Sequence, residues 1–176
     1  MRRCRLMVEV GRRQFLRGTV GTATAAAAAA TVGGGARAAT PRGGVVPDYP
    51  RIRLANVRDL VVDEPLEVTY PDADAPGVLL KLGRRVPGGV GPDGDIVGFT
   101  TVCPHKGYPL HYVREERTLD CPGHFSRFDV EAGGQQVWGH ATMNLPQYEL
   151  RVDEKGDIWA VGLDELLYGR VSNVLG

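Results

Sequence analysis

The sequence predicts an all-β fold, an antiparallel barrel or sandwich, on three observations. Short alternating or β-rich runs recur from residue 51 to residue 161, turn-forming clusters separate several of them, and the only stretch of helical character is short, Leu163 to Tyr168. In chain order, a Pro/Gly-rich segment at 39–50 reads as an extended arm leading to the first run, Arg51 to Ala55. Leu66 to Tyr70 alternates apolar and polar residues, as a half-buried strand does, and Val78 to Leu82 is a compact apolar run. The cluster Pro87-Gly88-Gly89-Val90-Gly91-Pro92-Asp93-Gly94 then reads as a hairpin connection into Ile96 to Val102. Thr118 to Cys121 and Phe125 to Phe128 are two short strands four residues apart. Tyr148 to Val152 and Ile158 to Val161 close the series, joined through the turn Asp153-Glu154-Lys155-Gly156-Asp157.

At 176 residues the chain holds one domain and a tail, and its formal charge of zero hides a division. Residues 1–38 hold Arg2, Arg3, Arg5, Arg12, Arg13, Arg17 and Arg37 against Glu9 alone, which leaves 14 basic and 20 acidic residues from 39 to 176, a net charge of −6. An acidic body offers no basic face for nucleic acid. The leader Gly11-Arg12-Arg13-Gln14-Phe15-Leu16-Arg17 resembles the twin-arginine export signal, an address read by a receptor. Gly18 to Gly35 is Ala- and Thr-rich, and Ala36-Arg37-Ala38 is a small-x-small pattern, so cleavage is expected after Ala38, giving a signal peptide at 1–38 and a periplasmic body at 39–176. The alternative is a retained membrane anchor. A spanning helix wants about 20 strongly apolar residues, and this stretch has no Leu, Ile or Phe after Leu16. Membrane association is therefore not expected.

Cys4 leaves with the leader, so the body keeps two cysteines, Cys103 and Cys121. An exported protein can use disulfides, but both thiols here sit in motifs that call for metal. Cys103-Pro104-His105 and Cys121-Pro122-Gly123-His124 form a C-x-H and a C-x-x-H pair with 15 residues between them. Two thiolates and two imidazoles from two loops suit a 2Fe-2S centre in which Cys holds one iron and His the other. Zinc also takes two Cys and two His, but its common spacing pairs Cys with Cys and His with His. The remaining alternative is two core cysteines and two surface histidines without a metal.

Cys103-Pro104-His105-Lys106-Gly107 and Cys121-Pro122-Gly123-His124-Phe125-Ser126 resemble the two boxes of Rieske proteins. The stretches 121–129, Gly133 to Gly139, Asn144 to Tyr148 and Asp164 to Asn173 are similar to the small subunit of arsenite oxidase, and with the leader this resemblance covers nearly the whole chain. It implies a Rieske-type barrel or sandwich with a small cluster-binding subdomain, its loops at about 100–147. It also implies a Rieske 2Fe-2S cluster with Cys103 and Cys121 on the inner iron and His105 and His124 on the outer one. Ser126 matches the serine that donates to a bridging sulfide in high-potential members. Two imidazoles in place of two thiolates make the cluster less negative and move its potential into the window of roughly −150 to +300 mV.

Three departures from the high-potential pattern stand out. The positions of its loop disulfide are Tyr108 and Gly123 here, and the tyrosine two residues after the serine is Phe128, which has no hydroxyl. Without the disulfide, packing and Pro104, Pro109, Pro122 and Pro146 have to hold the loops. Lys106 and Tyr108 are read as first-loop surface residues, and His111 and His140 as surface or core-edge residues rather than ligands.

The resemblance implies an electron-transfer subunit with no catalytic residue of its own. It would take electrons from a large molybdopterin subunit, which carries molybdenum and an iron-sulfur cluster, and pass them to a periplasmic cytochrome c or cupredoxin. The acidic body would steer a basic cytochrome. The alternatives are the Rieske subunit of a quinol-oxidising cytochrome bc complex, a ferredoxin or oxygenase component of ring hydroxylation, and a zinc-stabilised structural module.

Overall fold

The computed structural model describes residues 48–174. The expected signal peptide at 1–38 and most of the arm at 39–50 lie outside the described residues. Ten strands run in order: β1 (Ile52–Asn56), β2 (Leu66–Thr69), β3 (Pro76–Lys81), β4 (Ile96–Thr100), β5 (His111–Val113), β6 (Thr118–Asp120), β7 (Arg127–Asp129), β8 (Gln135–Trp138), β9 (Tyr148–Val152) and β10 (Asp157–Leu163). They form three antiparallel sheets in the orders β1-β10-β9, β2-β3-β4 and β5-β6-β7-β8. The all-β reading holds, with separate sheets in place of a closed barrel.

The sheet β2-β3-β4 lies between two cores, and the two-residue period of a strand explains how one short run serves both. Val78 and Leu80 of β3 with Val97 and Phe99 of β4 enter one core, while Leu79 and Ile96 enter the other. Both strands are therefore apolar with little alternation, as strands buried on two faces are. The second core also takes Tyr148, Leu150, Ile158 and Ala160 from β9 and β10. Gly77 and Gly98 make room for it: a Cβ at Gly98 would stand 2.8 Å from the Tyr148 ring, and one at Gly77 would fall on its hydroxyl.

The first core continues into the third sheet through Leu119, Phe128 and Val130 and includes Cys103 and Cys121. Leu119 pairs with Phe128 across β6 and β7. The two ligand fragments sit in the β4–β5 and β6–β7 loops, as the sequence predicts, and their thiols cap a packed apolar layer.

Three details differ from the sequence reading. Leu163 to Tyr168 is not a helix: β10 runs to Leu163 and the chain turns beyond it, and among the described residues the only helical pieces are 3-10 turns at Val57–Asp59 and Val130–Ala132. Strands β5 and β8 were not expected. β5 has three residues and β8 reads Gln-Gln-Val-Trp with its apolar pair exposed, so neither carries the alternation of a half-buried strand. No helix of the described residues is long and apolar enough to cross a membrane.

Candidate metal centre

The two loops are built alike. In the first, the Cys103 N–H donates to the Tyr108 carbonyl and the Gly107 N–H to the Cys103 carbonyl, each at 2.8 Å. In the second, the Cys121 N–H donates to the Ser126 carbonyl at 2.8 Å and the Phe125 N–H to the Cys121 carbonyl at 3.1 Å. Each turn thus closes five residues after its cysteine and needs a left-handed residue at the fourth position. Gly107 (φ 72°) fills it in one loop and Phe125 (φ 59°) in the other. Glycine adopts this conformation freely, whereas a bulky residue there costs about 1–3 kcal/mol. The Phe125 ring, 70% exposed, makes no compensating burial.

The four donors are sorted by depth. Cys103 and Cys121 are 1% and 2% exposed, both are free thiols, and both belong to the first core. His105 is half-buried and His124 exposed, with ring centroids 4.8 Å apart and planes at 79°. A sulfur pair inside and a nitrogen pair outside is the donor order of a two-iron centre with unlike irons. The Nδ1 atom of His105 is buried and has no hydrogen-bond partner, the state of a nitrogen reserved for a metal. The residues present fit a Rieske-type cluster: Cys103 and Cys121 would hold one iron and His105 and His124 the other. When bound, such a cluster supplies one-electron transfer.

Local electrostatics suit that donor set. Burial pushes the pKa of the Cys103 thiol up, the backbone N–H of His105 pulls it down, Cys121 alongside raises it, and the Lys106 N–H lowers it. Backbone N–H groups near a thiol favour its anionic form. Burial first, then the nearby His124, Lys106 and His140, lower the pKa of His105, which favours the neutral ring that ligates.

Ser126 is fully buried, and its Oγ accepts from the backbone N–H of His140 at 3.1 Å and of Ala141 at 2.9 Å. With its lone pairs so engaged, its hydroxyl proton is free to be donated elsewhere. Gly139 makes this grip possible, since a Cβ there would stand 2.4 Å from Ser126 Cα. Phe128 is fully buried in the first core. At the positions of the missing disulfide, the Tyr108 ring lies on Gly123, whose Cβ would stand 2.8 Å from Tyr108 Cγ, and the same ring meets His124 edge-on at 5.7 Å. Packing joins the loops where a disulfide does in other members.

His140 is exposed, as expected, but its place was not legible. Its ring stacks on His105 at 5.9 Å and meets His124 at 6.2 Å, so three imidazoles share the tip. His111 stands apart, exposed at the start of β5. Lys106 and Tyr108 are both exposed beside the ligand histidines. Phe125, Trp138, Val137 and Met143 are also exposed.

Residues 51–149 match the Rieske [2Fe-2S] domain family. The chain is 42% identical over 132 residues to the iodate reductase subunit IdrB of Denitromonas iodatirespirans, covering 73% of this chain and 71% of that one. It is 37% identical over 70 residues to the cytochrome bc1 complex Rieske iron-sulfur subunit of Corynebacterium diphtheriae, but this covers only 39% of the chain and 17% of that subunit. The soluble domain of the Rieske protein II (soxF) from Sulfolobus acidocaldarius superimposes with a TM-score of 0.63 at 26% identity, over 70% of this chain and 82% of that one. The chain therefore belongs to the Rieske [2Fe-2S] family, and its work is electron transfer through a Rieske-type 2Fe-2S cluster.

Proposed function

We propose that this chain is the electron-transfer small subunit of a molybdenum oxyanion oxidoreductase, its cluster held by Cys103, Cys121, His105 and His124 and tuned by Ser126. The similarity to an iodate reductase subunit over about seven-tenths of both chains carries this reading, because it extends well beyond the ligand boxes. It favours iodate as the oxyanion reduced by the catalytic partner. The second reading is arsenite oxidation, favoured by the resemblance of 121–129, Gly133 to Gly139 and Asp164 to Asn173 to the arsenite oxidase small subunit. The two differ in the direction of electron flow. In an oxidase, electrons leave the large molybdopterin subunit through this cluster for a cytochrome c or cupredoxin; in a reductase they run the other way. A tip with exposed imidazole edges serves either direction.

The Rieske subunit of a cytochrome bc complex remains the competing role. The shorter span of that similarity and the replacement of the disulfide positions by Tyr108 and Gly123 count against it. The periplasm is the proposed location, reached by the twin-arginine route with the leader removed.

Affinity-tagging the chain in its native host, then assaying the captured complex with iodate plus a reduced dye and with arsenite plus an oxidised acceptor, tests the reading. A molybdenum-containing large partner with one of these activities supports it. Capture with a cytochrome b and quinol-dependent activity would overturn it.

A further inference from the structure

The C-terminal stretch 164–173, to which cluster chemistry gives no role, reaches the first ligand loop. It is pinned to the base of the molecule at three points. Leu167 is buried in the second core. Asn173, 4% exposed, accepts from the Leu167 N–H and donates its amide to the Tyr49 hydroxyl and the Glu165 carbonyl, all at 2.8 Å. Arg170 grips both carboxylate oxygens of Asp72, in the turn after β2, with one bond at 2.9 Å. A paired guanidinium and a saturated buried amide fix a segment that has no secondary structure of its own.

Between these pins the strap presents Tyr168 to Gly107. A Cβ on Gly107 would stand 2.7 Å from Tyr168 Cε1 and 2.9 Å from Cδ1, so the ring lies directly on the glycine backbone. Gly107 is the left-handed residue that closes the Cys103 turn, its N–H donating to the Cys103 carbonyl at 2.8 Å, and His105 lies within that turn. Both cysteines of the described residues are free, so the loop has no covalent brace. Tyr108 on Gly123 ties loop to loop; Tyr168 on Gly107 ties loop to base.

We propose that Tyr168 is a positioning residue for the cluster: the strap holds its ring against Gly107, and the ring holds the turn that presents Cys103 and His105. The potential of such a cluster responds to the surroundings of its sulfur ligands. Releasing the turn changes those surroundings, so the potential shifts. The contact is made by the ring and not by the hydroxyl, so phenylalanine suffices.

The test is a redox titration followed by electron paramagnetic resonance on the full chain carrying its cluster, with cluster lifetime measured in parallel. Tyr168→Ala is expected to shift the midpoint potential, broaden the reduced-cluster signal and shorten the cluster lifetime, while Tyr168→Phe matches the parent. Arg170→Ala, which leaves the ring but removes a pin, is expected to shift the potential in the same direction, and carries the test if Tyr168→Ala does not accumulate. A parental potential and line shape in either variant, or a change in Tyr168→Phe as large as in Tyr168→Ala, overturns the proposal. The inference rests on Cys103 being a ligand. A cluster retained in Cys103→Ala would overturn that assignment, whereas cluster loss there with a parental Tyr168→Ala would overturn the brace alone.

Discussion

Ser126 shows how much one side chain carries at this centre. Its hydroxyl oxygen takes two backbone N–H groups from the 139–141 loop, so the residue locks that loop to the second ligand loop while its own proton remains to be donated. Ser126→Ala is expected to lower the potential and to destabilise the protein by about 1–3 kcal/mol, the cost of leaving the buried Ala141 N–H unpartnered; a redox titration and a thermal melt read the two effects. Phe128 acts by what it lacks, since high-potential members carry a hydroxyl at this position. The expected potential is below that of the cytochrome bc proteins, and Phe128→Tyr is expected to raise it; a parental value at or above theirs would contradict this. The candidate ligands could be singled out in the sequence because metal chemistry restricts both residue type and spacing. His140 was not, because its approach to His105 depends on Gly139 passing close over Ser126, a tertiary contact with no local pattern.

At the scale of elements, the cluster-binding sheet is tied to the rest by an ion-pair network as well as by the shared core. Glu131, in the 3-10 turn after β7, accepts from Arg84 of the β3–β4 connection and from Arg117 of the β5–β6 turn, and Arg117 also binds Asp63, which precedes β2, at 2.9 Å. The Arg84 hydrogen bond, then Arg117, holds the Glu131 carboxyl below its ordinary 4.5 against the opposing effect of burial. A carboxylate with a lowered folded-state pKa contributes stability above about pH 4.5 and loses it as the pH falls through the folded value. Glu131→Gln is accordingly expected to cost about 1.5–3 kcal/mol near neutral pH, with the gap to the parent closing in acid; chemical denaturation at several pH values reads this directly. The long apolar strands were legible, β3 and β4 above all, because double-sided burial leaves little room for polar residues. The stretch after Leu163 misled because its apolar spacing resembles a helix, while Asn173 and Arg170 hold it in bends and a turn from outside the window in which periodicity is read.

Among the described residues three sheets share two cores, one of which includes Cys103 and Cys121 while the other takes Leu167 of the proposed strap. This division gives the centre a rigid base and an exposed edge, which is what a one-electron carrier between larger partners requires. Export before use is expected to depend on the leader: Arg12→Lys with Arg13→Lys should leave the protein in the cytoplasm, as fractionation and immunoblotting would show. The central claim is that two buried thiolates and two outer imidazoles hold a two-iron cluster. Pulsed electron paramagnetic resonance of the reduced protein, labelled with 15N-histidine, tests it most directly. The account predicts a reduced-cluster signal with hyperfine coupling to two histidine nitrogens; a signal without nitrogen coupling, or no cluster signal in folded protein with stoichiometric zinc in its place, would contradict it.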